Sequence, residues 1–184
     1  MFAPLLLVGV FAYAIGSVPI HRFFGLPDFD SPEKRCSFVR NTSRFLLNVS
    51  KGLLAVMIAG DLGSSEALLA AILVTYGHNY PFWPGFRGGV GMGVLLGAML
   101  ALNPTLGLCA LFAWLLAFYV VQRTAIAGLT AAIATPLAAH VLALPFNPLA
   151  LCPMTALVLW RHRRVWEQIF DFGPKETEDA FRGL

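Results

Sequence analysis

Charged residues and cysteines are scarce in this sequence. Of its 184 residues, 13 are Lys or Arg and 10 are Asp or Glu, so charged side chains make up 12% of the chain. A soluble domain usually carries about 25%. The three cysteines are odd in number and two of them lie inside apolar runs, which excludes a disulfide framework as the basis of the fold.

Apolar residues are abundant instead, at 58% of the chain with a mean hydropathy of +0.71. The stretches 88–122 and 124–160 contain no Asp, Glu, Lys or Arg. Because about 20 apolar residues cross a membrane as a helix, each stretch can hold two crossings. Residues 1–20 are uncharged too, but they lack the basic start and the Ala-x-Ala site of a signal peptide. We therefore interpret them as a retained helix.

Polar residues and prolines divide the apolar sequence into seven predicted membrane-spanning helices, which gives an all-α polytopic bundle. The predicted ranges are 2–20, 45–60, 67–80, 89–102, 105–121, 125–144 and 148–160. They form a single transmembrane domain over residues 1–184, with a polar loop at 21–44 and a C-terminal tail at 161–184. Lys51 lies inside the second span, and we expect its stem to extend along the helix towards lipid headgroups.

The basic residues predict the orientation of these helices. With seven spans, all 13 Lys and Arg lie on one side of the membrane or at its edge, whereas the opposite loops hold Asp61 and Glu66. Lys and Arg accumulate on the cytoplasmic side of membrane proteins. We therefore expect a multi-pass membrane protein with the N-terminus outside and the loop 21–44 and the tail 161–184 in the cytoplasm.

The polar, glycine-rich segment from Gly77 to Gly93 is the best candidate for a functional site. His78 precedes a Pro-containing turn and Arg87 follows it. Three glycines come next, at the predicted start of a helix: Gly88, Gly89 and Gly91. Backbone N–H groups that side chains do not shield bind anions at a helix start. We predict a phosphate site here, with His78 as a hydrogen-bonding or general-base residue; the alternative is that His78 and Arg87 anchor the turn at the membrane interface.

The spacing of Gly89, Gly93 and Gly97 has a structural interpretation. These residues form two overlapping Gly-x-x-x-Gly units, which are typical of closely packed membrane helices. No Lys follows them as it would in a nucleotide-binding loop. We expect close helix packing here.

A basic cluster after the last predicted span includes Arg161 and Arg163. Such a cluster can bind an anionic substrate or contact anionic lipid headgroups. His140, near the end of the sixth span, can ligate a metal or hydrogen-bond a neighbouring helix, and the second interpretation is favoured for a lone histidine.

Four motifs resemble those of the bacterial acyl-phosphate:glycerol-3-phosphate acyltransferases, the PlsY family. Residues 77–91, Gly-His-Asn-Tyr-Pro-Phe-Trp-Pro-Gly-Phe-Arg-Gly-Gly-Val-Gly, are similar to that family's second signature. The segments Gly16-Ser17-Val18-Pro19, Ser50-Lys51-Gly52 and Arg161-His162-Arg163 are similar to its motifs at the end of helix one, on helix two and after the last helix. The resemblance covers essentially the whole chain.

This resemblance implies transfer of an acyl group from an acyl phosphate to the 1-hydroxyl of glycerol 3-phosphate, without a metal or another cofactor. It implies a bacterial cytoplasmic (inner) membrane as the location, membrane lipids as partners and no nucleic acid. His78 is the candidate catalytic residue. The candidate phosphate-binding residues are Arg87, Gly88, Gly89, Gly91, Arg161 and Arg163.

Departures from the family pattern motivate a second interpretation. Val90 stands where the family has a Lys, and residues 31–44 do not match its first signature. Loss of a cation from a phosphate site removes a charged hydrogen bond of about 1.5–3 kcal/mol. On these grounds the favoured interpretation is a member that has lost acyl transfer and serves as an accessory or structural subunit among other subunits of a membrane complex. The alternative is an active acyltransferase that uses glycerol 3-phosphate or a related acceptor.

Overall fold

The computed structural model describes residues 2–25, 38–83, 88–144 and 147–163. Eight helices lie in these ranges: α1 (Phe2–Ser17), α2 (Ile20–Phe23), α3 (Phe38–Gly60), α4 (Ser64–Asn79), α5 (Met92–Leu102), α6 (Pro104–Val121), α7 (Thr124–Val141) and α8 (Pro148–Arg161). The four residues of α2 make a single turn, and no strand occurs in the described ranges. The predicted all-α bundle of seven helices is confirmed.

Two helix starts follow directly from the sequence. Asn103 precedes the proline that begins α6, and its side-chain oxygen accepts hydrogen bonds from the N–H groups of Thr105 and Leu106 at 2.9 and 3.2 Å. Asn147 does the same for α8 by accepting from Leu149 at 3.0 Å. Proline fits the first helical position because the N–H that it lacks has no partner within the helix. These two Asn-Pro pairs therefore mark the ends of predicted turns.

Two other boundaries differ from those predicted. The second span was expected from Phe45, but α3 begins at Phe38, because hydropathy marks the membrane crossing and a helix can continue into water with polar side chains. The fourth span was expected from Gly89, but α5 begins at Met92. Gly91 has a φ of 85°, a left-handed conformation that lies outside a right-handed helix.

The helices pack mainly as the pairs α1 with α4, α3 with α5, and α6 with α7. Glycines permit close approach in the first two pairs, because a Cβ at Gly16 would overlap the carbonyl of Val74 and a Cβ at Gly97 would overlap that of Val49. At Gly93 a Cβ would lie 2.9 Å from the Cβ of Asn48. The expected close packing is confirmed for Gly93 and Gly97, whereas Gly89 precedes α5.

The outside of the bundle is apolar, as a lipid-facing surface requires. Large apolar side chains are exposed on several helices, among them Leu6, Leu7, Phe112, Tyr119, Val120 and Leu149. In the part of the chain that the structure describes, two segments are long and apolar enough to span a membrane by themselves, Thr42–Gly60 and Pro104–Val121, and the other apolar helices are shorter.

Candidate functional site

The C-terminal ends of α1, α4 and α8 meet the N-terminal end of α5 at one end of the bundle. His78 lies in the last turn of α4, and its side chain is 6% exposed. Two glycines cover it: a Cβ at Gly89 would lie 2.5 Å from the Nε2 atom of His78, and a Cβ at Gly88 would overlap the carbonyl oxygens of His78 and Asn79. The structure therefore brings His78 together with the predicted glycines, and their lack of side chains is what lets them lie there.

Gly91 completes this glycine segment, which comprises residues 88–91. It occupies the N-cap position of α5, where no described side chain caps the helix. A Cβ at Gly91 would lie 2.6 Å from the Oδ1 atom of Asn79, and the left-handed φ also favours glycine here. The first N–H groups of a helix have no partner within it. The start of α5 can therefore accept an anion.

Arg161, the last residue of α8, holds the glycine segment in place. Its guanidinium donates hydrogen bonds to the carbonyls of Gly89 and Gly88 at 3.2 and 2.5 Å, and its central carbon lies 5.5 Å from the centre of the Tyr80 ring. Residues distant in sequence are thereby joined at the predicted site.

The other two predicted cationic residues are placed differently. Arg163 is exposed, and its guanidinium carbon lies 5.2 Å from the centre of the Trp160 ring. Arg87 lies outside the described residues.

Lys51 is a residue of this end of the bundle that our sequence analysis placed elsewhere. The expectation that its side chain reaches lipid headgroups is wrong, since it is 2% exposed and its Nζ atom donates to the carbonyls of Gly16 and Val18 at 2.6 and 2.8 Å. The last carbonyls of a helix have no partner within it. The carbonyls at the end of α1 accept hydrogen bonds from Lys51 of α3, which packs close by. The sequence feature that could have indicated this buried position is a Lys followed directly by Gly52 within an apolar run.

Two hydroxyl groups join α1 to α4 on either side of His78. The Oγ atom of Ser17 lies 2.9 Å from the carbonyl oxygen of Tyr13 and 3.3 Å from that of Gly77. The Tyr13 hydroxyl donates to the carbonyl of Tyr80 at 2.9 Å. The backbone before and after His78 is thus fixed to the same neighbouring helix.

His162 follows Arg161 and is 3% exposed. Its Nδ1 atom lies 2.9 Å from the carbonyl oxygen of Val158 and donates to it, because a carbonyl can only accept. Burial lowers the pKa of His162, and the hydrogen bond to Val158 opposes that shift. The ring therefore tends to stay neutral, so that Lys51 and Arg161 supply charge here.

The charge distribution suits an anionic ligand. Within the described ranges the acidic residues are Asp61 and Glu66, which lie at or before the start of α4, at the opposite end of the bundle. Among the described residues, the end that holds His78 and the glycine segment therefore carries basic side chains without acidic ones.

A shallow apolar cleft begins beside the start of α5. Eight residues of α3, α5, α6 and α7 line it: Phe45, Met92, Leu95, Leu96, Ala110, Leu111, Trp114 and Ala131. Met92 is the first residue of α5. The cleft thus places an apolar surface next to a site suited to an anion.

Comparison with known proteins gives a consistent result. The model of the family described as glycerol-3-phosphate acyltransferase matches residues 41–171. A glycerol-3-phosphate acyltransferase of Jannaschia sp. (strain CCS1) is 34% identical over 172 residues, with 85% of each chain covered. One of Pseudomonas paraeruginosa (strain DSM 24068 / PA7) is 36% identical over 183 residues, which cover 89% of this chain and 95% of the relative.

Two solved structures show the same fold. Both are crystal structures of PlsY, an integral membrane glycerol 3-phosphate acyltransferase, in a glycerol 3-phosphate form and a lysophosphatidic acid form. The TM-scores are 0.77 and 0.78 at 24% and 25% identity, over 90% of this chain and 91% of each solved chain. These matches extend over most of the sequence, so this chain belongs to the glycerol-3-phosphate acyltransferase (PlsY) family of integral membrane proteins.

Proposed function

We propose that the protein is an active acyltransferase that moves an acyl group from an acyl phosphate to a hydroxyl of glycerol 3-phosphate or a closely related acceptor. The observation that carries this proposal is the position of the glycine segment, which covers His78 and leads directly into α5. A base, a helix start that suits a phosphate, and an apolar cleft thereby meet at one place.

The chemistry needs each of these parts. The acceptor hydroxyl attacks the carbonyl carbon of the acyl phosphate, an ester C–O bond forms, and the C–O bond to phosphate breaks. His78 accepts the proton of the hydroxyl and returns it to the departing phosphate. The N–H groups at the start of α5 and the positive charge of this end stabilise phosphate oxygens.

The apolar cleft takes the acyl chain of the donor in this proposal. Each buried CH₂ contributes about 0.8 kcal/mol, so that a long chain supplies binding energy which holds the acyl carbonyl near His78. The lining next to the start of α5 is apolar throughout, as this role requires.

The interpretation of the chain as an accessory subunit gains no support from the comparisons, because the relatives carry the name of an enzyme. Its motivation was the replacement of a family Lys by Val90 and the altered loop. Here, Lys51 and Arg161 provide cations at the same end of the bundle. The relatives are bacterial, which supports a location in a bacterial cytoplasmic membrane. The distribution of Lys and Arg supports a site that faces the cytoplasm, and the exposed apolar side chains support membrane lipids as partners.

The test is acyl transfer by the purified chain in mild detergent, with an acyl phosphate and glycerol 3-phosphate. We expect turnover by the wild type and a loss of about 10²- to 10⁴-fold in His78→Ala and in His78→Gln, in line with removal of a general base. His140→Ala is the matched control, since His140 is exposed near the far end of α7 and its loss should leave the rate unchanged.

Two results would contradict the proposal. Equal rates in wild type and both His78 variants would remove His78 from catalysis. A wild type without turnover that purifies with stoichiometric partner proteins would instead support the accessory-subunit interpretation.

A further inference from the structure

Asn79 has a buried side-chain amide that lacks a hydrogen-bond partner among the described residues. The residue is 1% exposed, and within the described ranges neither Oδ1 nor Nδ2 has a partner. Buried polar groups in proteins are nearly always hydrogen-bonded, and each exception calls for an explanation such as a ligand or a water molecule. The amide needs one donor for Oδ1 and one acceptor for Nδ2.

The amide lies where the proposed reaction takes place. Asn79 directly follows His78, and its side chain faces Gly91. A Cβ added at Gly91 would lie 2.6 Å from Oδ1 and 3.3 Å from Nδ2 of Asn79. Gly91 is the N-cap of α5, a helix of 11 residues that no described side chain caps. Because Gly91 has no side chain, the amide is covered on that side by backbone alone. A ligand therefore reaches the amide in this proposal through a displacement of the glycine segment.

The missing partners indicate the kind of group that binds. A phosphate oxygen can accept from Nδ2 but cannot donate to Oδ1, whereas a hydroxyl group can do both at once. Thr75, one turn earlier in α4, is by contrast already satisfied, since its hydroxyl donates to the carbonyl of Ala71 at 2.9 Å. The amide of Asn79 is therefore suited to a hydroxyl-bearing ligand.

We propose that Asn79 determines acceptor specificity by hydrogen-bonding the hydroxyl next to the one that is acylated. This inference rests on the proposed function, since it assigns the reacting hydroxyl to His78 and the neighbouring hydroxyl to Asn79. The ligand class is a polyol phosphate with two adjacent hydroxyls. A site that hydrogen-bonds a hydroxyl rejects analogues that lack it, because its own polar group is then left unpaired.

The test combines two ligands with three forms of the full-length protein in detergent. The ligands are glycerol 3-phosphate and 3-hydroxypropyl phosphate, which lacks the second hydroxyl. The proteins are the wild type, Asn79→Leu, which keeps the size of the side chain without its polar atoms, and Thr75→Val as the matched control. Calorimetry gives Kd without requiring turnover, and acyl transfer is measured separately.

We expect the wild type and Thr75→Val to bind glycerol 3-phosphate roughly 10-fold or more tightly than the analogue, as loss of one well-placed hydrogen bond predicts. In Asn79→Leu this preference should fall to about twofold through weaker binding of glycerol 3-phosphate. The Tm of ligand-free Asn79→Leu should equal or exceed that of the wild type, because an unpaired amide is removed.

The outcomes separate the two proposals. A preference for glycerol 3-phosphate that is retained in Asn79→Leu would overturn the inference. A clearly lowered Tm of ligand-free Asn79→Leu would overturn it too, because it would show that a permanently bound water satisfies the amide. Preference lost in Asn79→Leu together with a wild type that transfers no acyl group would support Asn79 and reject the proposed function. Binding of neither ligand by the wild type would overturn both.

Discussion

Arg161 holds the candidate site together. It donates to two carbonyls of the glycine segment and contacts the Tyr80 ring. Two of its guanidinium nitrogens are therefore directed at the protein, so we propose a positioning role for it. In this role Arg161 affects ligand binding through the glycine segment that it holds.

Replacement of Arg161 should separate this role from a general effect of positive charge. In Arg161→Met the two charged hydrogen bonds are lost, each of about 1.5–3 kcal/mol. We expect kcat/KM for glycerol 3-phosphate to fall roughly 10- to 100-fold. Arg161→Lys, which keeps the charge but not the paired geometry, should recover only part of the loss.

Arg163→Met is the matched control, because it also removes one positive charge. The Arg163 side chain, two residues further along the chain, is exposed and contacts Trp160. Steady-state kinetics of the three variants distinguish the positioning role of Arg161 from a general effect of positive charge. Similar losses in Arg161→Met and Arg163→Met would mean that the total charge of this end matters and that the bonds to Gly88 and Gly89 do not.

The residues of the site were predictable to different degrees. Gly88, Gly89, Arg161 and His78 lie in motifs that sequence analysis selected, and the structure brings them together. Lys51 was misplaced because its partners are backbone carbonyls of another helix, and a sequence pattern does not show which helices cross. Asn79 was not selected for the same reason, since the absence of partners becomes visible only in three dimensions.

Close packing of α5 on α3 depends on glycine. A Cβ at Gly97 would overlap the carbonyl of Val49 and lie 3.0 Å from the backbone nitrogen of Leu53. Backbone cannot move aside as a flexible side chain can, so the two helices would have to separate. The geometry of the site depends on this pair, since α5 carries the glycine segment at its start.

Replacement of two of the glycines by alanine should therefore affect the stability of the protein differently. We expect Gly97→Ala to lower the thermal stability of the purified protein, by about 1–3 kcal/mol as for overpacking of a core. Gly60→Ala, at the end of α3, should be neutral or stabilising, because nothing lies within 4 Å of the added Cβ and alanine favours helix by about 1 kcal/mol. Thermal unfolding in one detergent measures both, and an unchanged Tm in Gly97→Ala would show that the helices tolerate separation.

Helix ends were predicted well where local chemistry determines them. The Asn-Pro pairs before α6 and α8 are examples, since capping involves only neighbouring residues. The start of α3 was missed because hydropathy does not report how far a helix extends beyond the membrane. The start of α5 was missed because it depends on the left-handed conformation of Gly91.

Four helices contribute to the apolar cleft, which is therefore a property of the assembled bundle. Met92 lines it at the end that holds His78, and Ala110 and Leu96 line it nearer the turn at Asn103. If the cleft holds the acyl chain, the volume farthest from α5's start determines how long a chain fits.

If the protein is an acyltransferase as proposed, a larger side chain at Ala110 should shift its preference towards shorter acyl donors. Ala110→Leu fills the deeper part of the cleft, whereas Leu108→Phe adds volume to an exposed side chain of the same helix and serves as the control. We expect the ratio of kcat/KM for long over short acyl phosphates to fall roughly 10-fold in Ala110→Leu, a loss of about two CH₂ groups of contact, and to stay constant in Leu108→Phe. A ratio unchanged in both variants would place the acyl chain elsewhere.

The burial of Lys51 has a consequence for the biogenesis of the protein. A lysine within a membrane-spanning helix raises the free energy of inserting that helix, by up to about 2.5–3.5 kcal/mol at the centre of the bilayer. Its acceptors are carbonyls at the end of α1, a helix that emerges earlier from the ribosome. Insertion of α3 is therefore more favourable when α1 is already in the bilayer and its carbonyls can accept the hydrogen bonds of Lys51. The order of the helices along the chain thus also provides an order of assembly.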